Sequence, residues 1–145
     1  MIGIIFSIAA GVLISIQGAF NTRVSEKVGL WETTAIVHAV GLVFALFILV
    51  FAGSNTLKKI AEVNNIYLLG GALGVLIVFS IIKAISSLGA SYSVAILLTA
   101  QLFFATIIDY YGLFGLTQIA LSPYKIIGLL TMIIGTVIFS FQPGR

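Results

Sequence analysis

The sequence predicts an all-α membrane protein with five transmembrane helices, and three observations support this class. Hydrophobic residues make up 61% of the 145 residues and charged residues only 8%, with a mean hydropathy of +1.26. A soluble domain carries about a quarter charged residues, so this chain could not cover its own surface in water. The apolar residues also form blocks as long as the roughly 20 residues that a helix needs to cross hydrocarbon. Strands of alternating polarity, as in a membrane barrel, are missing from the sequence.

Each predicted helix ends where polar residues, glycine or proline interrupt an apolar block. The first block ends at Asn21, the second at Gly53, the third at the turn Ser86–Gly89 and the fourth at Tyr110, and Pro143 follows the fifth. The first block has no basic residues before it, so we interpret it as a retained helix rather than a signal peptide. The helices are predicted over residues 2–20, 31–51, 66–85, 92–109 and 125–141, in one domain that covers residues 1–145.

The composition argues against several classes of function. Cysteine is absent, and the seven basic residues are scattered rather than gathered in a stripe. We therefore expect no disulfide, no Cys-based metal site and no nucleic-acid binding. The single histidine, His38, has no cysteine or acid cluster beside it and makes a poor metal site. No Gly-rich phosphate-binding signature and no acid pair on one helix occur, so we expect neither a cofactor nor enzyme activity.

Small residues recur on one face of three predicted helices, where another helix can approach closely. This spacing predicts either packing between helices of one bundle or a seam between two copies of the chain. The residues are Gly3, Ser7, Gly11 and Ser15 in the first helix, Gly70 and Gly74 in the third, and Gly128 and Gly135 in the fifth.

Basic residues are shared almost equally between the two sides of the membrane. In the predicted topology one side has Lys58, Lys59 and Lys125, and the other has Arg23, Lys27, Lys83 and Arg145. Orientation follows an excess of Lys and Arg on one side, and this near-equal division provides no such excess. Either the chain inserts both ways and pairs with an inverted second copy or an inverted paralogue, or another feature sets its orientation. Many transporters consist of two halves of opposite orientation, and a five-helix chain with balanced charge fits one such half.

Polar side chains inside the predicted spans are costly in hydrocarbon, so each is expected to face a cavity or a partner. Gln17 and Asn21 lie four residues apart on one face of the first helix. They form either a helix contact and a helix cap, or part of a polar cavity. His38 is either a neutral, hydrogen-bonded structural residue or a group that moves protons, because histidine changes charge closest to neutral pH. Gln101 in the fourth helix is a further candidate for the cavity.

Two carboxylates are candidates for attracting a cation or moving a proton. Glu32 lies in the first turn of the second helix, where the helix dipole stabilises an anion, and this is its structural interpretation. Asp109 lies at the C-terminal end of the fourth helix, where the dipole disfavours an anion, so it needs a partner. That partner is a basic residue, a helix N-terminus or a cationic substrate. Lys83 is expected to extend to the lipid headgroups.

Two segments of the sequence resemble a known family. They are Ser15–Arg23 (SIQGAFNTR) and Ala100–Asp109 (AQLFFATIID), the second closed by Gly112. Together and in this order they are similar to the signature of the YdcZ-like inner-membrane exporters of the drug/metabolite transporter superfamily, and the resemblance covers nearly the whole chain. The segment Gly29–Thr34 with His38 after it resembles the version found in Gram-positive bacteria.

The resemblance implies a five-helix half of an inverted-repeat transporter in the bacterial inner membrane. It implies export or exchange of small molecules by an antiparallel homodimer, an inverted pair of chains or a fused ten-helix protein. It places Gln17, Asn21, Gln101 and Asp109 at the signature positions. Related four-helix exporters have a glutamate in the middle of the first helix, where this chain has Gln17, which argues against proton exchange through a carboxylate there.

We therefore predict a secondary transporter that works by alternating access as an antiparallel dimer within the lipid bilayer. Helices one to four would surround a midplane cavity for a small-molecule substrate, lined by Gln17, Asn21, His38 and Gln101. The fifth helix would support the dimer through Gly128 and Gly135, and Glu32, His38 or Asp109 would couple a cation or a proton. Two alternatives stay open: an ion channel on the same inverted dimer, and a membrane subunit that assembles a complex without transporting.

Overall fold

The computed structural model describes residues 1–52 and 55–141, and every regular element in those ranges is helical, which confirms the predicted all-α class. The helices are α1 (Ile2–Val28), α2 (Leu30–Ala52), α3 (Asn65–Leu68), α4 (Gly70–Leu88), α5 (Ala90–Tyr111) and α6 (Pro123–Ser140), and 3₁₀ segments cover Asn55–Glu62 and Leu113–Gly115. Gly53, Ser54, Pro143 and Arg145, on which predicted helix ends and part of the charge comparison rest, lie outside the described residues.

Five helical segments of the described chain are long and apolar enough to cross a membrane, as predicted. The third is formed by α3 and α4 together. The helix ends differ from the prediction most at α1, which continues through the polar residues after Phe20 and ends only at Val28. It continues because neither glycine nor proline occurs between Phe20 and Gly29. Arg23 and Glu26 also form an ion pair of 2.9 Å along its surface. The spans are Ile2–Val28, Leu30–Phe51, Asn65–Leu88, Ala90–Tyr111 and Pro123–Ser140.

A single glycine joins α1 to α2. Gly29 has a φ of +101°, a backbone conformation that costs other residues free energy, and its N–H donates to the Ser25 carbonyl to end α1. The chain therefore reverses direction in one residue, without a loop.

The chain divides into two compact units, unit 1 (Met1–Ser87) and unit 2 (Leu88–Arg145). Each is described by itself.

In unit 1, α1 packs against α2, and α4 contacts both of them. Gly18 of α1 lies against Ile81 and Ile85 of α4. The rings of Trp31 in α2 and Phe79 in α4 lie with their centroids 4.3 Å apart. Trp31 lies beside Phe79, and His38, later in α2, lies beside Gly74, which is earlier in α4. The two helices are therefore antiparallel.

Packing in unit 1 is confined to one end of its three spans. We call residues 18–38 and 74–87 the packed half, and residues 1–17, 39–51 and 65–73 the open half. Every residue of the open half is exposed in the single chain. The buried residues of unit 1 all belong to the packed half, and they are Gly18, Asn21, Thr22, Thr33, Thr34, Ile82 and Ile85.

In unit 2, α5 and α6 form an antiparallel pair. Their hydroxyls meet near the middle of the pair, with Thr99 Oγ1 2.8 Å from Thr136 Oγ1. The Thr99 hydroxyl donates its single proton to the Ala95 carbonyl at 2.9 Å. The bond between the helices therefore has Thr136 as its donor. Such bonds between helices stabilise membrane bundles modestly.

The link between α5 and α6 is ordered by bonds to the end of α5. Gly112 ends α5 with a φ of +61°, and a Cβ there would lie 3.1 Å from the Leu116 carbonyl oxygen, so glycine is required. The Ile119 N–H donates to the Asp109 carbonyl at 2.8 Å, and the Gln118 amide donates to the Tyr110 carbonyl at 2.9 Å.

Candidate functional site

Buried polar side chains gather in the packed half of unit 1. Asn21 and Thr22 of α1 are each 7% exposed, and Thr33 and Thr34 of α2 are at most 1% exposed. Buried polar groups within a bundle of apolar spans are costly unless they are bonded. Asn21 was predicted from the sequence and the three threonines were not. For Thr33 and Thr34 the available signal was two adjacent hydroxyl residues in a largely apolar helix, and Thr22 follows Asn21 directly.

The three threonines satisfy their own hydroxyls. Thr22 donates to the Gly18 carbonyl at 2.8 Å, Thr33 to the Gly29 carbonyl at 2.7 Å and Thr34 to the Leu30 carbonyl at 2.9 Å. Each bond runs back one turn to its own helix, which leaves the methyl group to pack outward. These threonines therefore fill space at the helix contacts and offer no hydroxyl proton to a substrate.

His38 lies where the packed half meets the open half. Its Nδ1 is 2.8 Å from the Thr34 carbonyl oxygen, which can only accept, so Nδ1 carries the proton of the neutral ring. The remaining nitrogen, Nε2, is then a free acceptor. It is directed toward α4 at Gly74, where a Cβ would lie 3.5 Å away. The side chain is half-buried, so this acceptor can be reached by a small molecule or a proton.

Gln17 and Asn21 have different environments although they share one face of α1. Asn21 is buried, whereas Gln17 is exposed and is the last residue of the open half on this helix. Between them Gly18 makes the closest approach to α4, since a Cβ would lie 2.8 Å from Ile85 Cδ1 and 3.1 Å from Ile81 Cγ2. This glycine stands in the segment that carried the family resemblance, but the sequence analysis assigned it no role.

The predicted small-residue stripe does not pack within the chain. Among the described residues, no atom of another helix lies within 4 Å of a Cβ built at Gly3, Gly11, Gly70, Gly128 or Gly135. Ser7 and Ser15 donate to carbonyls of their own helix, at 2.9 Å and 3.0 Å. Of the predicted glycines, Gly74 alone lies beside another helix of the described chain, at His38. The alternative role as a seam between two copies stays a prediction.

Glu32 places its carboxylate at the N-terminus of α2. Its Oε2 lies against Gly29, beside the position that a Cβ would occupy, and the side chain is exposed. An anion at a helix N-terminus is stabilised by the helix dipole. Within the described residues the ion pair that forms joins Arg23 to Glu26, so no basic side chain of that part of the chain pairs with Glu32.

The candidate residues of unit 2 lie on one side of α5. Gln101 and Asp109 are eight residues apart with Ala105 between them. Gln101 lies opposite Thr99, the residue of α5 that bonds to α6, and Asp109 lies at the flank of that side. Gln101 is exposed and Asp109 is half-buried. The Asp109 carbonyl, rather than its carboxylate, provides the described contacts, by accepting from Gly112 and Ile119.

Ser93, near the start of α5, is a polar residue that the sequence analysis missed. It is 6% exposed, and its Oγ finds no hydrogen-bond partner among the described residues. An apolar groove of unit 1 lies along α2 in the open half, at Val40, Val43, Phe44 and Phe47. No group of three or more His, Asp or Glu side chains that could hold a metal occurs in residues 1–52 and 55–141.

Comparison with known proteins gives one match. A family model described as "Putative inner membrane exporter, YdcZ" matches residues 2–138, which is almost the whole chain. No curated protein and no solved structure matches the sequence. The matched range includes the first four membrane spans in full, all but the last two residues of the fifth, and both segments that carried the resemblance.

Proposed function

We infer the function from one premise: the chain belongs to the YdcZ family, whose members are described as inner membrane exporters. The protein is accordingly a multi-pass protein of the inner membrane, with its five apolar helices in contact with the lipid bilayer. Membership supports a transporter that exports small molecules, rather than an enzyme. Everything finer than this is our proposal.

We propose that the protein is a secondary transporter that works by alternating access as an antiparallel dimer. The observation that supports this most is the open half of unit 1. Every residue of the three spans is exposed there, and Gln17 is exposed among large apolar side chains. An amide facing hydrocarbon is costly, so a second copy or a water-filled cavity must lie against it.

The near-equal division of basic loop residues supports an inverted arrangement of the two copies. A transporter built from inverted halves binds its substrate near the bilayer midplane, at the interface of the halves. His38 and Gln17 fit such a cavity because both lie where the packed half ends. The hydrogen-bonding groups of these two side chains favour a substrate that is recognised by hydrogen bonds. Because Nδ1 of His38 donates to the Thr34 carbonyl, Nε2 can accept a hydrogen bond from the substrate.

The inverted arrangement is tested by labelling single cysteines in intact cells. The sequence contains no cysteine, so Thr117→Cys, in the link after α5, and Lys27→Cys, at the end of α1, can each be introduced alone. These positions lie at opposite ends of the spans. A membrane-impermeant maleimide should label about half of the copies of each variant, compared with the total labelled after lysis. Full labelling of one variant and none of the other would reject dual orientation.

Transport is tested with purified protein in liposomes that are preloaded with candidate solutes. Counterflow of at least one solute is expected, and Gln17→Leu should abolish it without changing the stability in detergent, because Gln17 is exposed. Thr131→Val is the control, since the Thr131 hydroxyl donates only to the Ile127 carbonyl of its own helix. Flux without counter-transport would indicate a channel. No flux of any solute in either direction, with or without a pH gradient, would remove the proposal.

A further inference from the structure

Unit 2 has a groove between α5 and α6. It has a volume of about 380 Å³ and lies at the end of the pair where α5 ends and α6 begins. Its walls are apolar along most of their length. Six of the residues that line it are Phe103, Ile107, Tyr110, Lys125, Ile126 and Leu130.

The groove is apolar at its inner end and polar at its outer end. Phe103 and Leu130 lie more than one helical turn inside the ends of the two spans. Tyr110 and Tyr111 occupy the last turn of α5, and Lys125 occupies the first turn of α6. Tyrosine and lysine at span ends lie at the level of the lipid headgroups, with the lysine ammonium reaching the water.

The outer end carries positive charge without a compensating anion. In the described part of the chain no carboxylate lies within 4 Å of the Lys125 ammonium. Asp109, the acid of unit 2, is not among the residues that line the groove. The N-terminus of α6 adds partial positive charge at the same place, although Ser122 Oγ already accepts the Lys125 backbone N–H at 3.3 Å.

We propose that this groove binds one anionic phospholipid, with an acyl chain between α5 and α6 and the phosphate beside Lys125. The apolar walls match hydrocarbon, the polar end lies at headgroup depth, and its charge is opposite to that of the headgroup. The inference does not depend on alternating access or on the orientation of a second copy. In this proposal Lys125 binds a lipid, and it is also one of the basic residues that were compared between the two sides of the membrane.

Native mass spectrometry of the full-length protein in detergent tests the site with two lipids of equal chain length. Phosphatidylglycerol is added in one series and phosphatidylethanolamine in the other. We expect one phosphatidylglycerol per chain to bind more tightly than phosphatidylethanolamine. Lys125→Gln should weaken phosphatidylglycerol binding roughly fivefold, as expected for one basic residue near a lipid phosphate. It should weaken phosphatidylethanolamine binding less, because the ammonium of that headgroup offsets the charge of its phosphate. Lys83→Gln, at another exposed lysine of a membrane span, is the control and should change neither.

A second variant tests the groove rather than the charge. Thr106 lines the groove, and its hydroxyl donates only to the Leu102 carbonyl of its own helix. Thr106→Phe should therefore fill the groove and lower the binding of phosphatidylglycerol without breaking a bond between helices, with helix content checked by circular dichroism. A phospholipid with a photoreactive acyl chain should crosslink to Ile107, Ile126 or Leu130.

Three results would overturn the site. They are equal binding of the two lipids, equal effects of Lys125→Gln and Lys83→Gln, and acyl-chain crosslinks that fall outside the groove. Crosslinks between the groove residues of two protein copies would instead assign the groove to a second copy, and they too would reject a lipid.

Discussion

The packed half and the open half of unit 1 are formed by the same three spans, yet helix contacts close one of them and leave the other exposed. Gly11 and Gly18 show the difference most directly, because they lie seven residues apart on nearly the same face of α1. A Cβ at Gly18 would meet two isoleucines of α4, whereas a Cβ at Gly11 would meet no described atom within 4 Å. A small residue on a given face is therefore not sufficient for helices to meet.

The physical reason is that hydrocarbon gives apolar helices no drive to associate. Packing detail and hydrogen bonds decide the contacts, since lipid chains cover an apolar side chain as well as another helix does. In the packed half, Gly18 and Gly74 bring α4 close, and the buried threonines bond to their own helices. Among the described residues of unit 1, the open half has no such set. In our proposal a second copy or a water-filled cavity lies against it.

The largest expected effect is that of a bulky residue at the closest contact of the packed half. Gly18→Leu should destabilise the fold by about 3 kcal/mol, because its side chain cannot fit against Ile81 and Ile85. Unfolding in mixed micelles of SDS and a mild detergent measures this. Gly11→Leu is the control on the same face and should leave the stability of a single chain unchanged. Equal losses in both variants would mean that the division into two halves is wrong.

The next effect concerns the open half. If a second copy covers the stripe of small residues, Gly11→Leu should weaken association by about tenfold, or about 1.4 kcal/mol, because it prevents close approach of the helices. Fluorescence energy transfer between two labelled populations in liposomes measures association. Gly41→Leu provides the comparison, since Gly41 is equally open but lies on α2 outside the stripe. Unchanged association in Gly11→Leu would exclude the stripe from the seam.

A smaller effect is expected at the aromatic contact in the packed half. Phe79→Leu should cost about 1 kcal/mol, since the Trp31 and Phe79 rings lie 4.3 Å apart. Trp31 is the only tryptophan, so its fluorescence reports directly on this contact. The same replacement at Phe44, in the open half, should change neither the stability nor the emission. A matching change in both variants would show that Trp31 senses general loosening rather than this contact.

The smallest effect extends the comparison to unit 2, where a hydroxyl pair rather than a glycine joins the helices. A double-mutant cycle with Thr99→Val and Thr136→Val should give a coupling of about 0.6 kcal/mol, the average for bonds between membrane helices. Detergent unfolding of the four proteins measures the coupling. A value near zero would show that packing rather than this hydrogen bond holds α5 and α6 together.

Much of the fold could be predicted from residue type and spacing. The apolar blocks identified all five spans, and Gly29 and Gly112 stand where chain reversal or a helix end requires positive φ. The end of α1 was predicted too early, at residue 20, because polar residues were interpreted as the end of the helix. A helix can continue beyond hydrocarbon when its polar residues bond along its surface, as Arg23 and Glu26 do.

The candidate site was only partly predictable. Spacing placed Gln17 and Asn21 on one face, but not that Asn21 is buried while Gln17 is exposed. It marked His38 as a candidate for moving protons, but not which nitrogen carries the proton, since this depends on the Thr34 carbonyl one turn away. Gly18 was missed because it falls one position outside the four-residue spacing of the stripe.

Residue type and spacing were enough to establish the membrane class and the number of spans. Both follow from the cost of unbonded backbone in hydrocarbon. The glycine at which α1 turns into α2, the small residues that meet another helix and the polar groups that are buried became visible only in the folded chain. Periodicity shows which residues share a face of a helix, but not what that face contacts. In a bilayer, a face covered by protein can have the same composition as a face covered by lipid.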